Sequence, residues 1–470
     1  MNTTATPART NSSEFASLPL PPHALQNLQR LGYTAMTPIQ AASLPLALAG
    51  HDLIAQAKTG SGKTAAFALA LLANLNVRRF AVQALVLCPT RELAEQVTQE
   101  VRRLAAAEDH IKVLTLCGGA TMRQQLASLE HGAHIVVGTP GRLMDHLERG
   151  SLNLEALNTL VLDEADRMLD MGFFDDIATI AKQCPKQRQT LLFSATYPEG
   201  IGKLAAAFMR EPKEVKLLAA HAAGKIRQLF FEVREEERLH AVGQLLAHYR
   251  PVSTLAFCNT KQQCRDLVQV LRAQGYAALE LHGELEQRER DQVMVQFANR
   301  SCSVLVATDI AARGLDITQL EAVINVDITP DAATHTHRIG RTGRVDEAGW
   351  AFSLVSMEEM GSVGKIEQAG SFSSEWQKVS ELTPTSNEPL RAPMQTIQIL
   401  GGRKEKIRPG DVLGALTKDL GFAGTQIGKI NVNEFSTYVA VERGIAAEVL
   451  RRLASAKVKG RSVKVRLLES

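Results

Sequence analysis

Ala57-Lys-Thr-Gly-Ser-Gly-Lys-Thr64 decides how the rest of the chain is read. Gly60 and Gly62 carry no side chains, so the backbone can turn its N–H groups inward around an anionic phosphate chain. Ala57, Lys58, Thr59 and Ser61 complete the loop, Lys63 brings a mobile cation to the outer phosphates, and the Thr64 hydroxyl is placed to ligate Mg²⁺. The apolar segment Leu53-Ile-Ala55 precedes the loop and a helical run, Ala65-Ala-Phe-Ala-Leu-Ala-Leu-Leu72, follows it. In that strand–loop–helix setting the helix N-terminus adds its positive end. The strict pattern opens with Gly where this chain has Ala57, so the loop alone leaves open a Gly-rich turn ahead of a buried helix.

Short apolar runs recur on either side. The first series is Ala84-Leu-Val-Leu-Cys-Pro-Thr90, His134-Ile-Val-Val-Gly-Thr-Pro140, Thr159-Leu-Val-Leu-Asp163 and Thr190-Leu-Leu-Phe-Ser-Ala-Thr196. A second comprises Thr254-Leu-Ala-Phe-Cys-Asn-Thr260, Ser303-Val-Leu-Val-Ala-Thr-Asp309 and Ala322-Val-Ile-Asn-Val-Asp327. Runs this apolar on both faces suit buried parallel strands, with helical patterns such as 92–105 between them. Polar residues collect at the strand ends, where open α/β sheets bind ligands. The pattern predicts a flexible tail over 1–19 and two parallel-sheet domains, 20–217 and 227–370, with a hinge at 218–226. Residues 371–393, including Thr383-Pro-Thr-Ser-Asn-Glu-Pro389, read as a linker. Beyond it come a strand at 396–400, a helix at 409–420, strands at 427–432 and 437–441, a helix at 445–456 and a strand at 463–468. That order, βαββαβ, fits a small split-βαβ domain over 394–470.

At 470 residues the chain has room for two or three domains, each with its own core. Its net charge of +3 hides an asymmetry: residues 391–470 hold 15 Lys and Arg against 7 Asp and Glu, leaving 38 against 43 elsewhere. A basic C-terminal piece on a mildly acidic body suggests a polyanion-binding appendage, although a lysine-rich soluble surface gives the same count. No run approaches the roughly eighteen apolar residues of a membrane helix, and the polar N-terminus lacks the apolar core of a secretory signal. The six cysteines (Cys88, Cys117, Cys184, Cys258, Cys264 and Cys302) include no C-x-x-C. That argues against a zinc site or disulfide framework and for a reducing, cytoplasmic location.

Asp163-Glu-Ala-Asp166 directly follows an apolar strand. Asp163 at the strand end can hold Mg²⁺, usually through water, and Glu164 is next in line to orient the attacking water. Together with Ser194-Ala-Thr196 and His337-Arg-Ile-Gly-Arg-Thr-Gly-Arg344, this stretch resembles the DEAD-box family of RNA-dependent ATPases and RNA helicases, with the motifs in the family's order over residues 15–356. The resemblance implies an α/β chain of two RecA-like parallel-sheet domains followed by an RRM-like α+β RNA-binding domain, using ATP and Mg²⁺. It implies that Phe15 stacks on adenine and that Gln40, in Gly32-Tyr-Thr-Ala-Met-Thr-Pro-Ile-Gln40, hydrogen-bonds its edge; Ala57 is usual at the start of this family's phosphate loop. Pro89, Thr90, Arg91, Gly119 (beside Gly118), Thr139, Gly141 and Arg142 resemble RNA-backbone contacts of the first domain. Gln287, Arg290, Thr308, Arg313 and Gly314, the last two in Ala312-Arg-Gly-Leu-Asp316, resemble those of the second. By the same resemblance Asp309 meets the ribose, Arg341 and Arg344 are arginine fingers, and Ser194, Thr196 and His337 couple the nucleotide and RNA sites. A structural ion pair is the other reading of Arg341. The catalytic set is then Lys63, Asp163, Glu164, Arg341 and Arg344. Phosphate loop and fingers fall on different domains, so RNA bridging both favours their closure and makes hydrolysis RNA-dependent. Backbone-directed contacts explain binding without sequence preference.

The tail resembles the C-terminal RNA-binding domain of the bacterial DbpA subfamily in Ile407-Arg-Pro-Gly-Asp-Val-Leu-Gly-Ala-Leu416, Ile427-Gly-Lys-Ile430 and Lys464-Val-Arg-Leu-Leu468. Members act on 23S ribosomal RNA during assembly of the large ribosomal subunit. The resemblance therefore implies 23S rRNA and large-subunit assembly intermediates as partners, with no membrane and no obligate protein partner. The third strand offers only Tyr438 where a stacking RRM carries two or three aromatics. Recognition is expected at basic loops instead, through Arg403, Lys404, Lys406, Lys457, Lys459 and Arg461, with base readout only where those loops are ordered. Two other classes stay open: a DNA helicase of related fold, and a non-catalytic RNA chaperone, which would lack Lys63, Glu164 or a finger arginine.

Overall fold

The computed structural model describes residues 14–468 apart from 58–59, 109, 198, 218–225, 313–316, 318–319, 344–348, 371, 387 and 389. The chain separates into two compact units that divide at residue 220. In the first, β1 (Leu53–Gln56), β2 (Ala84–Leu87), β3 (Val113–Leu116), β4 (Ile135–Gly138), β5 (Thr159–Leu162), β6 (Gln189–Ser194) and β7 (Lys213–Lys216) form one sheet. Its order is β3-β4-β2-β5-β6-β1-β7, and the pairing is parallel throughout. The strands are continuously apolar because both faces are covered. Ala55, Val86, Val137, Val161 and Phe193 pack into one core layer, while Ile54, Leu85, Val136, Leu160 and Leu192 alternate into the other. The helix Lys63–Ala73 lies in the first layer with Phe67, Leu69 and Leu71 fully buried, which accounts for its near-uniform apolarity.

The second unit repeats the plan with β8 (Ile226–Glu232), β9 (Thr254–Cys258), β10 (Ala278–Leu281), β11 (Val304–Thr308), β12 (Ala322–Asn325), β13 (Gly349–Val355) and β14 (Glu375–Lys378). The order is β10-β11-β9-β12-β13-β8-β14, again parallel. β14 comes from the stretch expected to be a linker, and that expectation is corrected here. Trp376 packs on Phe230 with ring centroids 5.6 Å apart. Tyr249 donates to Gln377 Oε1 at 2.9 Å, Thr385 N to Ala247 O at 3.1 Å, and Arg250 to Glu388 O at 2.8 Å. A Ser/Thr/Pro-rich composition disfavours a helix, but it permits an extended strap whose backbone groups find partners on a neighbouring surface.

The same unit carries the C-terminal domain, whose sheet joins β15 (Met394–Leu400), β16 (Ile427–Val432), β17 (Thr437–Glu442) and β20 (Lys464–Leu467) in the antiparallel order β16-β17-β15-β20. A small hairpin, β18 (Lys457–Val458) with β19 (Arg461–Ser462), precedes the last strand. The helix Pro409–Gly414 runs on into a π turn, Ala415–Asp419, and the second helix is Ala446–Ser455. Ile397, Ile399, Val439, Val441 and Val449 form the core beneath the sheet. On the opposite face Thr396, Gln398, Tyr438 and Ala440 are buried too. Thr396 Oγ1 lies 3.2 Å from Asn299 Nδ2 and 2.7 Å from Ser301 Oγ, and Met394 N donates to Arg300 O at 3.2 Å. The sheet face that an RRM ordinarily opens to RNA here rests on the preceding α/β domain.

Candidate nucleotide and RNA sites

In the first unit β1, β6 and β5 are neighbours, so their carboxyl ends bring the phosphate loop, Ser194–Thr196 and Asp163–Asp166 to one edge. Gly60 and Gly62 adopt left-handed φ of 76° and 92°, and a Cβ on Gly62 would meet Gln40 Nε2 at 2.6 Å. Lys63 is buried and donates to Ala57 O at 2.9 Å. Gln40 is 1% exposed; its Oε1 accepts from Thr37 N at 2.9 Å and its Nε2 donates to Gly62 O at 3.1 Å. Gln40 thus braces the phosphate loop. Phe15 is also buried, edge-on to Tyr33 at 6.1 Å.

Asp163 closes β5 with 3% of its surface exposed, and its Oδ1 has no hydrogen-bond partner. Burial pushes its carboxyl up to about 7, against the pull of the nearby Lys63 ammonium. Glu164 follows in a left-handed conformation (φ 52°) and pairs with Arg167. Asp166 ties this turn to the next strand. Its Oδ2 accepts from Thr196 N and Thr196 Oγ1, each at 2.8 Å, and from Ala195 N at 3.2 Å, while its N donates to Ser194 Oγ at 3.3 Å.

The adjoining ends of β2, β4 and β3 carry the residues expected to meet RNA. Thr90 Oγ1 caps the helix Arg91–Ala105, accepting from Leu93 N at 3.3 Å. The Arg91 guanidinium lies over Gly118, where a Cβ would approach Nη2 to 2.6 Å, so a side chain there would displace it. Gly119 is exposed at φ 84°. Thr139 precedes the helix Pro140–Glu148, which brings Gly141 and Arg142 to its first turn. Arg142 donates to Gln125 Oε1 at 2.8 Å and Ala120 O at 3.2 Å. Buried Gln125 also donates to Cys117 O at 2.8 Å and lies 2.9 Å from His146 Nε2, so it locks two of these loops together. The sequence carried no signal for Gln125, an unremarkable glutamine between motifs.

In the second unit Asp309 follows β11, and both its oxygens are taken by Arg338, at 2.7 Å and 2.6 Å. Arg338 is 1% exposed and further donates to Asp327 O at 2.7 Å. It anchors the helix Ala332–Ile339, which bears His337 and leads to buried Arg341. Nothing in the sequence sets Arg338 apart from the other arginines of His337-Arg-Ile-Gly-Arg-Thr-Gly-Arg344. Arg290, in the helix Gln287–Ala298, donates to Ala311 O at 3.4 Å, which brings it and Gln287 to the end of β11 at Thr308. Lys58, Thr59, Arg313, Gly314 and Arg344 lie outside the described residues.

Three family patterns match: DEAD/DEAH box helicase over residues 37–204, helicase conserved C-terminal domain over 237–346, and DbpA RNA binding domain over 396–467. The ATP-dependent RNA helicase DbpA of Escherichia coli K12 is 50% identical over 453 residues, covering 96% of this chain and 98% of that protein. The chain belongs to the DEAD-box ATP-dependent RNA helicases, in the DbpA subfamily. Another DEAD-box relative, CshA of Geobacillus kaustophilus, is 43% identical and covers 75% of this chain and 76% of its own length. Among solved structures, S. cerevisiae Dbp5 bound to RNA and ADP BeF3 has a TM-score of 0.72 at 30% identity, over 79% of this chain and 97% of that one. As a DEAD-box helicase the chain is an ATP-using enzyme that acts on RNA, which sets aside both the non-catalytic chaperone and the DNA helicase. No helix among the described residues is long and apolar enough to cross a membrane.

Proposed function

We propose that this helicase works on 23S rRNA in large-subunit assembly intermediates, in the cytoplasm, and that it hydrolyses ATP with Mg²⁺ held at Thr64 and Asp163. The observation that carries the chemical half is the partnerless, buried Oδ1 of Asp163 beside the phosphate loop. A carboxylate so desolvated is stabilised by a hard cation, and oxygen ligands from Asp163 at the end of β5 and Thr64 in the first turn of the helix Lys63–Ala73 would suit one that keeps part of its water shell. When bound, Mg²⁺ would neutralise charge on the phosphate oxygens. Lys63 leaves Ala57 O for the outer phosphates, Glu164 orients the attacking water, and Arg341 with Arg344 meets charge developing on the transferred group. Gln40 and Phe15 select adenine and Asp309 meets the ribose. Gln40, Glu164 and Asp309 are each engaged within the chain, with Gly62, Arg167 and Arg338. On this reading nucleotide binding exchanges internal partners for ligand ones.

Ser194, Thr196 and His337 transmit the nucleotide state to the RNA contacts, which are Pro89, Thr90, Arg91, Gly119, Thr139, Gly141 and Arg142 in the first unit. In the second they are Gln287, Arg290, Thr308, Arg313 and Gly314. The ribosomal assignment is supported by the DbpA RNA binding domain match over 396–467 and the basic balance of that region. Arg403, Lys404, Lys406, Lys457, Lys459 and Arg461 take up phosphates. The cytoplasmic assignment is supported by six free, buried cysteines. Co-sedimentation of the full chain with ribosomal precursors tests the target: enrichment on large-subunit over small-subunit particles is expected, and equal binding to both rejects it.

A further inference from the structure

Phe435 is an aromatic ring held out into solvent by a loop that is otherwise firmly fastened. It sits in the turn between β16 and β17 and is 56% exposed, although the domain's other phenylalanine, Phe422, is buried. Asn433 N donates to Ser436 O at 2.8 Å, which closes the turn. The basic segment 403–406 lies along it: Arg403 N donates to Asn433 O at 2.9 Å, Lys404 N to Glu434 O at 3.1 Å, and Arg403 Nε to Val432 O at 3.1 Å. This approach requires glycine at 402, where a Cβ would meet Asn433 O at 2.3 Å. Lys404 Nζ stands 4.2 Å over the ring and 3.5 Å from Glu434. Lys459, at the tip of the β18–β19 hairpin, donates to Lys406 O and pairs with Asp411 at 3.6 Å, so the second basic loop is tied to the first.

We infer that Phe435 is a stacking platform for an unpaired base of the RNA bound by the C-terminal domain, with Arg403, Lys404 and Lys406 holding the flanking phosphates. The inference rests on the RNA-binding role proposed for that domain and adds the element that reads a base. Three observations support it. The usual stacking face is closed, because Tyr438 is buried, its hydroxyl 3.2 Å from Gln398 Nε2, and the sheet there rests on Asn299 and Ser301. The ring projects from a turn already fastened to the 403–406 segment, so little conformational freedom is lost on binding. Lys404 over one face strengthens a stack on the other, and the surrounding cations favour a nucleic acid over an apolar protein surface.

The test uses the full chain with two RNAs: a stem–loop with unpaired loop nucleotides, and a blunt duplex of the same stem. Phe435→Ala is expected to weaken stem–loop binding by about 5- to 150-fold, the range that loss of one base–aromatic stack spans, and to leave duplex binding unchanged. Phe435→Trp should retain affinity and show fluorescence quenching on stem–loop binding beyond that of the unmodified chain; Phe435→Leu should behave as the alanine variant. Phe435→Ala should keep the salt dependence, whereas Lys404→Ala should lower its log–log slope by roughly 0.7 to 0.9. Unchanged stem–loop affinity in Phe435→Ala, or full affinity in Phe435→Leu, overturns the stacking role while leaving RNA binding by the domain intact. Failure of the unmodified chain to bind either RNA overturns the underlying reading instead.

Discussion

Thr196→Val isolates the link between the acidic turn and the strand beside it. The substitution keeps the side-chain volume and removes one donor, the hydroxyl 2.8 Å from Asp166 Oδ2. A hydrogen bond to a charged group is worth about 1.5–3 kcal/mol. The carboxylate keeps Thr196 N at 2.8 Å and Ala195 N at 3.2 Å on the same oxygen, and Arg167 N at 3.0 Å on the other. The lower end therefore applies, about 1.5 kcal/mol, or roughly tenfold in a rate that depends on this link. Strand displacement of a short RNA duplex, measured beside ATP turnover at saturating RNA, separates coupling from chemistry. Displacement should fall about tenfold while turnover falls less than about threefold. Asp166→Asn should act in the same direction, and the double variant should cost less than the sum, since both remove one contact. Equal losses of displacement and turnover, or strict additivity, would refute the coupling role.

Lys63→Ala and Glu164→Gln should both abolish turnover but differ in binding: equilibrium titration should show ATP weakened by the first and retained with RNA by the second. Near-normal turnover in Glu164→Gln would contradict its assignment. Arg341→Ala should cut RNA-stimulated turnover by about 10³-fold or more; a loss below about tenfold would assign buried Arg341 a structural part instead. Thr396→Val leaves Asn299 Nδ2 and Ser301 Oγ without their buried hydroxyl partner, so urea unfolding should show about 1–3 kcal/mol lost. An unchanged midpoint would mean that the sheet face of the C-terminal domain is not held there.

The parallel sheets were legible because strands covered on both faces must be apolar at every position, as Leu85-Val-Leu87 and Leu160-Val-Leu162 are. The ends of β1, β5 and β6 were legible because the phosphate loop and the acidic turn put charge directly after such runs. Arg338 and Gln125 were not, because each acts through groups distant in sequence: Arg338 closes on Asp309 and Asp327, and Gln125 on Arg142 and His146. The strap misled for a related reason. Glu375-Trp-Gln-Lys378 is too short and too polar to stand out as a strand, and its pairing with β8, which sets Trp376 beside Phe230, joins residues far apart in the sequence. Tyr438 showed that a stacking face was poor in aromatics, but only the tertiary structure shows that face closed.

ATP turnover of the full chain, titrated with a 23S rRNA fragment, a homopolymeric RNA, a small-subunit rRNA fragment and matched DNA, shows whether the C-terminal domain sets the RNA preference. Each should be compared with a chain ending after the strap, at Leu390. The full chain should reach half-maximal turnover at far lower concentration of the 23S fragment than of any other RNA, with DNA inactive. The shortened chain should keep its maximal rate and lose the preference, because the residues proposed to bind ATP and the RNA contacts proposed for the two α/β domains all precede the C-terminal domain. Equal response to all RNAs by the full chain, or an unchanged preference after removal of residues 391–470, would contradict the account.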